Sequence, residues 1–353
     1  MTMIFILVAP MAAFGETAAI QGELKREGIP FQAEYLGNPV IPGESPTTGL
    51  PWEGVYAPVL LVVDNAQEAH PHWGVKDADI LYQVPNAGQG ATKLLALFSD
   101  TAPSDAGGSR SARTPFVDVA RGWGAAFAYA GSPGDGVSDK ANVPLKLREA
   151  GMRRNVLSFD LLGSSDYSRR ISGYAGPHDL SADIARIREL ALKKGAVFTP
   201  KPFLFTDSLP EGYAPAGRVE IRHYGETASA NDGNPASYSA FTYDGQSKSW
   251  YRENVMGPYV DRDAPETPIP FANVIVQRVK FSYSNPYIQL NYLTGTGAAD
   301  IFIGGMYIPG GWQLSSLDDR TVFVNEKGEE ISLLRGKTFI ILTNDVTRVS
   351  VAP

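Results

Sequence analysis

The sequence predicts an α+β protein, with a mixed α/β amino-terminal domain followed by a smaller, mostly antiparallel β domain. Three observations predict it. Apolar runs of strand length alternate with helix-start signals up to about residue 205, β-rich runs alternate with turns from Val219 onward, and no segment of helical period and length occurs in that last third. At 353 residues and 43% hydrophobic, the chain holds enough apolar material for one large core or two ordinary ones.

The elements follow in order. Met3 to Gly15, "MIFILVAPMAAFG", is an apolar run of signal-peptide length that ends in small residues, so residues 1–15 are read as a signal peptide cleaved after Ala13-Phe14-Gly15. No cation precedes Ile4, which a misplaced start codon explains, and the alternative is a buried first strand or helix. Residues 16–55, with "NPVIPGESPTTGLPWEG", are dense in Pro, Gly, Ser and Thr and read as a linker. The amino-terminal domain is assigned to 56–218 and the carboxy-terminal one to 219–353.

"APVLLVVDN" predicts a buried strand that ends by presenting Asp64 and Asn65. "DADILYQV" and "TKLLALFS" predict two more strands around the turn "PNAGQGA". Pro115 after Thr114 marks a helix start. "LSADIARIRELALKKGA", Leu180 to Ala196, has the clearest helical period, with Ser181 as N-cap and Gly195 as terminator. Beyond Val219, "RVEIRHYG", "YSAFTYDGQSKSWYREN", "NVIVQRVKFSY", "YIQLNYLTGTGAADIFIGG", "TVFVNEKGEEISL" and "KTFIILT" read as strands and hairpins.

Composition excludes several classes of function. The net charge of -7, from 31 Lys and Arg against 38 Asp and Glu, gives no basic excess to draw in nucleic acid. With no cysteine there is no disulfide, thiolate metal site, thiol nucleophile or lipobox. No metal or cofactor is expected. His70 and His72 in "AHPHWG" lack further ligands, and "DRDAPETP", with Asp261 and Asp263, lacks the glycine and final glutamate of a calcium loop. Ser109, Ser111 and Ser132 sit in no G-x-S-x-G elbow, and "NAGQGA" is no Walker or Rossmann loop. Trp250, Tyr251 and Trp312 could stack on sugar rings, although core packing is the simpler account.

The richest stretch is "GGSRSARTPFVDVA", where Arg110 and Arg113 stand between a glycine pair and a helix start. Backbone N–H groups and the helix dipole favour an anion there, and guanidinium forks suit phosphate or carboxylate. The alternative is that the arginines brace the loop, for instance through Asp118. His178, in the turn "GPHD" beside Asp179, is the best general acid or base. Asp64, Asn65, Arg110, Arg113 and His178 are therefore the candidate ligand-binding residues, expected on one rim of the sheet.

Taken together, "APVLLVVDNAQEAHPHWGVKDADILYQVPNAGQGATKLLALFSD", "GGSRSARTPFVDVA", "YAGPHDL" and "GGWQLSSLDDRTVFVNEKGEEISLLRGKTFIIL" resemble the bacterial YerB-like family, a two-domain family of unknown function among lipoproteins and secreted proteins. Family members often carry a glutamate where this chain has Gln83 and an asparagine where it has Asp179. The resemblance implies an extracytoplasmic, secreted or wall-associated protein whose partner is an anionic envelope polymer, a glycan or an envelope protein. A non-catalytic binding module is the leading expectation. The alternative is a phosphotransferase or hydrolase of phosphorylated envelope polymers, since the order of Asp, Arg and His resembles that of LytR-CpsA-Psr enzymes.

Overall fold

Strand β1 (Val59–Asp64) is buried along its whole length, and its alternate side chains enter two different cores. Val59, Leu61 and Val63 face one way, and Leu60 and Val62 the other. A strand apolar on both faces must be covered on both, so the sheet that contains it is the middle layer of three. The computed structural model of the chain describes residues 19–24, 37–86, 92–223, 238–284, 287–292, 294–343 and 346–353. The expected signal peptide, 1–15, lies outside them, as does most of the turn after Asn86.

Next come β2 (Ile80–Pro85), β3 (Thr92–Phe98), α1 (Thr114–Trp123), β4 (Ala126–Tyr129), α2 (Val143–Glu149), β5 (Ser158–Asp160), β6 (Leu180–Ala182) and α3 (Ile184–Lys193). Beyond these the regular elements are strands, chiefly β7 (Arg218–Arg222), β8 (Tyr238–Asp244), β9 (Ser249–Asn254), β10 (Asn273–Arg278), β11 (Gly295–Ile303), β12 (Met306–Leu314), β13 (Thr338–Thr343) and β14 (Arg348–Ala352). The central sheet runs β12-β11-β10-β13-β2-β3-β1-β4-β5. Within it β10, β13 and β2 are mutually parallel, as are β1, β4 and β5, and the remaining neighbours are antiparallel. A second, antiparallel sheet runs β14-β7-β8-β9.

One face of the central sheet is covered by α1 and α2, through Phe116, Val117, Ala120, Trp123, Val143 and Leu147. The other is covered by the second sheet, through Val219, Ile221, Phe241, Trp250, Val349 and Val351, together with Ile184, Ile187 and Leu190 of α3. Trp250 and Trp312 are buried core residues. The expected strands form, yet two expectations need correction. The fold is mostly β, with three α-helices among the described residues. The two segments that meet at 218/219 share one sheet, because β13 lies between β10 and β2. Finally, Ser181 belongs to β6, and the cap of α3 is Asp183, whose carboxylate accepts from Arg186 N at 2.8 Å.

The expected linker, 16–55, is in part a docked loop. Ser45, Thr47 and Thr48 are buried, and their hydroxyls donate to two carboxylates: Ser45 and Thr48 to Asp100 at 2.6 and 2.7 Å, and Thr47 to Asp79 at 3.0 Å. Burial first, and then repulsion from Asp100, push the Asp79 carboxyl up to about 7. The folded state thus holds this proton more tightly than the unfolded chain, and stability falls as pH rises from about 4 to about 7. Urea unfolding at pH 4.5 and 7.5 checks this. The wild type should lose on the order of 2 kcal/mol across that interval that Asp79→Asn retains, and parallel losses in both proteins would show that Asp79 titrates normally.

Candidate functional site

Asp64 is the last residue of β1, and its side chain is on the helix-covered face, in line with Leu60 and Val62. Directly across the antiparallel pair stands Lys93 of β3, whose ammonium group forms an ion pair with Asp64 Oδ1. The other carboxylate oxygen, Oδ2, receives Arg110 Nε at 2.7 Å and lies 2.8 Å from His178 Nδ1. Side-chain exposure rises from 0% at Asp64 through 10% at Lys93 and 14% at His178 to 32% at Arg110, so a sunken anion lies beneath a cationic rim.

The local sequence explains how these groups meet. Residues 109–112 run between the ends of the parallel strands β1 and β4. On one side Arg110 N donates to Val62 O and the Ser109 hydroxyl to the same carbonyl, and on the other Ala130 N donates to Arg110 O and the Ser111 hydroxyl to Ala130 O. The two serines are thus occupied in backbone bridging. A β-carbon on Gly108 would lie 2.1 Å from His178 O, so only glycine lets the 176–179 turn settle against this segment. Gly124 ends α1 at φ 61, and the first turn of that helix carries no acidic residue, which leaves its positive end uncompensated.

Burial alone would raise the Asp64 carboxyl, but the charge and hydrogen bond of Lys93, and then Arg110, overcome it and hold the group at about 2. Burial pulls Lys93 below the usual lysine range, opposed by Asp64 and assisted by the like charges of Arg110 and Arg113. Arg113 Nη1 donates to Ala112 O at 2.7 Å, and its charge reaches the cluster. Asp118 pairs with Lys146 at 2.7 Å, and the carboxylate that braces Arg110 is Asp64 instead. Asn65 turns to the other face of the sheet, where it donates to Thr92 Oγ1 at 2.9 Å and meets His70 Nε2 at 3.2 Å.

Of the five expected residues, Arg110 and His178 therefore both meet Asp64; Arg113 is adjacent in charge and Asn65 faces away. Sequence reasoning missed Lys93. Its signal was a single lysine in an otherwise apolar strand paired with β1. His70 and His72 stack with ring centres 4.1 Å apart, and His72 is locked between the Asp64 carbonyl and Tyr259 Oη. Burial holds His70 well below its ordinary range and His72 at about 4, so both are structural neutral rings. Among the described residues no group of three or more His, Asp or Glu side chains is arranged to hold a metal ion. Asp261 accepts from Lys76 N and Asp263 N, as an acidic turn does.

The amino-terminal profile of the family described as "Protein of unknown function (DUF3048)" matches residues 47–197, and its carboxy-terminal profile matches residues 230–340. The chain belongs to the DUF3048 family. It is 26% identical over 341 residues to a Bacillus subtilis (strain 168) protein named "Putative lipoprotein YerB", covering 93% of this chain and 92% of that protein. In fold it is similar to the crystal structure of the YerB protein from Bacillus subtilis, with a TM-score of 0.71 at 23% identity over 87% of this chain and 99% of the other. The family profile thus includes every residue of the Asp64 cluster.

On the opposite face, Gln83 links the two sheets. Its Oε1 accepts from the Ser239 hydroxyl at 2.8 Å and lies 3.5 Å from Arg252 Nη2. Arg252 is buried over the Tyr259 ring at 4.6 Å, and among the described residues no carboxylate pairs with it. Burial brings its guanidinium down to about 10. A glutamate at position 83 would supply the missing counter-charge.

Two outcomes are expected in guanidinium unfolding at pH 7. Asp64→Asn, which strands Lys93, should cost about 3 kcal/mol, while Gln83→Glu should add roughly 1–3 kcal/mol by pairing Arg252. The Asp64 contribution is complete above about pH 4 and disappears as pH falls through its folded value of about 2, so the wild type's advantage over Asp64→Asn should shrink across that window.

Proposed function

We propose that the protein works outside the cytoplasm as a binding protein of the cell envelope, and that it takes an anionic polymer or glycan at the rim formed by Lys93, Arg110, Arg113 and His178. One observation carries this reading: three cationic side chains gather around a single buried carboxylate, beside the uncompensated positive end of α1. Asp64 neutralises one of those charges and orients Arg110 and His178. A phosphate or carboxylate arriving at the rim meets guanidinium donors already held in place. The extracytoplasmic setting is supported by the name of the Bacillus relative as a lipoprotein and by the signal-like residues 1–15. No helix among the described residues is long and apolar enough to cross a membrane.

A second reading, a phosphotransferase or hydrolase of phosphorylated envelope polymers, draws on the Asp64–His178 contact. A carboxylate on Nδ1 fixes the imidazole and leaves Nε2 available for proton transfer, while the arginines would steady a developing phosphoryl charge.

Titration of the full chain with a synthetic glycerol phosphate polymer tests the first reading. The Arg110→Ala/Arg113→Ala double variant should bind at least tenfold more weakly, and wild-type affinity should fall with added salt. Unchanged binding with lowered stability would show that the arginines only brace the fold. For the second reading, the measurement is turnover of a pyrophosphate-linked glycan, which His178→Gln should abolish. No turnover by the wild type leaves binding as the function.

A further inference from the structure

The same strand-end edge carries a second cationic feature. A cleft of about 480 Å³ opens where β4 and β5 end, between α2 and the turn at 151–154. Its wall is formed by Leu147 and Met152, both buried, with Tyr129 at the end of β4. Around it stand three exposed arginines, Arg148, Arg153 and Arg154, and among the described residues none of them pairs with a carboxylate.

The one acidic residue in the wall is already engaged. Asp160 Oδ1 accepts from Gly131 N at 2.9 Å and from Leu162 N at 3.1 Å. Tyr129 Oη is likewise satisfied by Ser158 Oγ at 3.1 Å. Backbone hydrogen bonds orient Asp160, and its single negative charge stands against three guanidinium groups, so the cleft carries a net positive charge. A protein gains little for its own folding by setting three guanidinium groups around an apolar hollow with one carboxylate among them, since like charges repel. The volume falls in the range of small-molecule sites, which combine an apolar lining with a few charged groups.

We infer that this cleft is a binding site for a phosphate monoester with a compact apolar body. The apolar part would lie on Leu147, Met152 and Tyr129, and the phosphate would be held by Arg148, Arg153 and Arg154. A dianion matches three guanidinium forks better than a monocarboxylate does. The site is separate from the Asp64 cluster, although the two are neighbours: Ala112 N donates to Gly131 O, and Ser132, the next residue, lines the cleft.

Hexyl phosphate, hexanol and inorganic phosphate, each titrated calorimetrically into the full chain, test the inference. Hexyl phosphate should bind at least tenfold more tightly than either of the others. The Arg153→Ser/Arg154→Ser variant changes exposed residues only, so it should keep the wild-type melting temperature and lose at least tenfold in affinity. The same variant should bind the glycerol phosphate polymer within twofold of wild type, which keeps this outcome distinct from the fate of the anion-rim reading. Equal binding of hexyl and inorganic phosphate, an unaffected Arg153/Arg154 variant, or a like loss of polymer binding by that variant would each overturn the assignment. Phosphatidate vesicles identify the source of the ester: sedimentation with them, competed by hexyl phosphate, indicates a lipid headgroup, and hexyl phosphate binding without sedimentation indicates a soluble ester.

Discussion

A carboxylate buried at the end of a strand must have its charge matched, and the matching of Asp64 organises this protein's most elaborate corner. Its cross-strand partner Lys93 comes from β3, Arg110 from the segment laid between β1 and β4, and His178 from a turn that follows about seventy residues later. Three parts of the chain are thereby fixed to one group. Desolvation opposes the arrangement and the surrounding cations overcome it, so the cluster is rigid because each member leaves another exposed to an uncompensated charge if it departs.

Much of this could be read from the residues. The apolar runs of β1, β2 and β3, the helix start near Pro115 and the hairpins after Val219 are local patterns, and local patterns are visible in a single sequence. The insertion of β13 between β10 and β2 is not local. "KTFIILT" announces a strand but says nothing of its neighbours, so one sheet shared by the segments on either side of 219 is not visible in it. The docked loop was missed for a different reason. Ser45, Thr47 and Thr48 look solvent-loving, and only the buried carboxylates of Asp79 and Asp100 make them interior residues.

At the site, residue type and position in "GGSRSARTPFVDVA" sufficed to mark Arg110, and "GPHD" to mark His178. What they could not supply was direction. Asp64 and Asn65 are adjacent, so a strand's alternation must send them to opposite faces: one joins the cationic rim and the other the inter-sheet network of Thr92, Gln83, Ser239 and Arg252. The same alternation would have identified Lys93 had the register of β3 on β1 been known.

The position of β13 also bears on how the chain comes to be folded. Synthesis proceeds from the amino terminus, and β2 gains its second neighbour only when residues 338–343 are available. Until then β2 ends the growing sheet with an unpaired, apolar edge, open to the wrong partner. A nascent chain of this topology thus carries that edge unpaired until residues 338–343 emerge, long after β2 itself, and only then can the middle layer close.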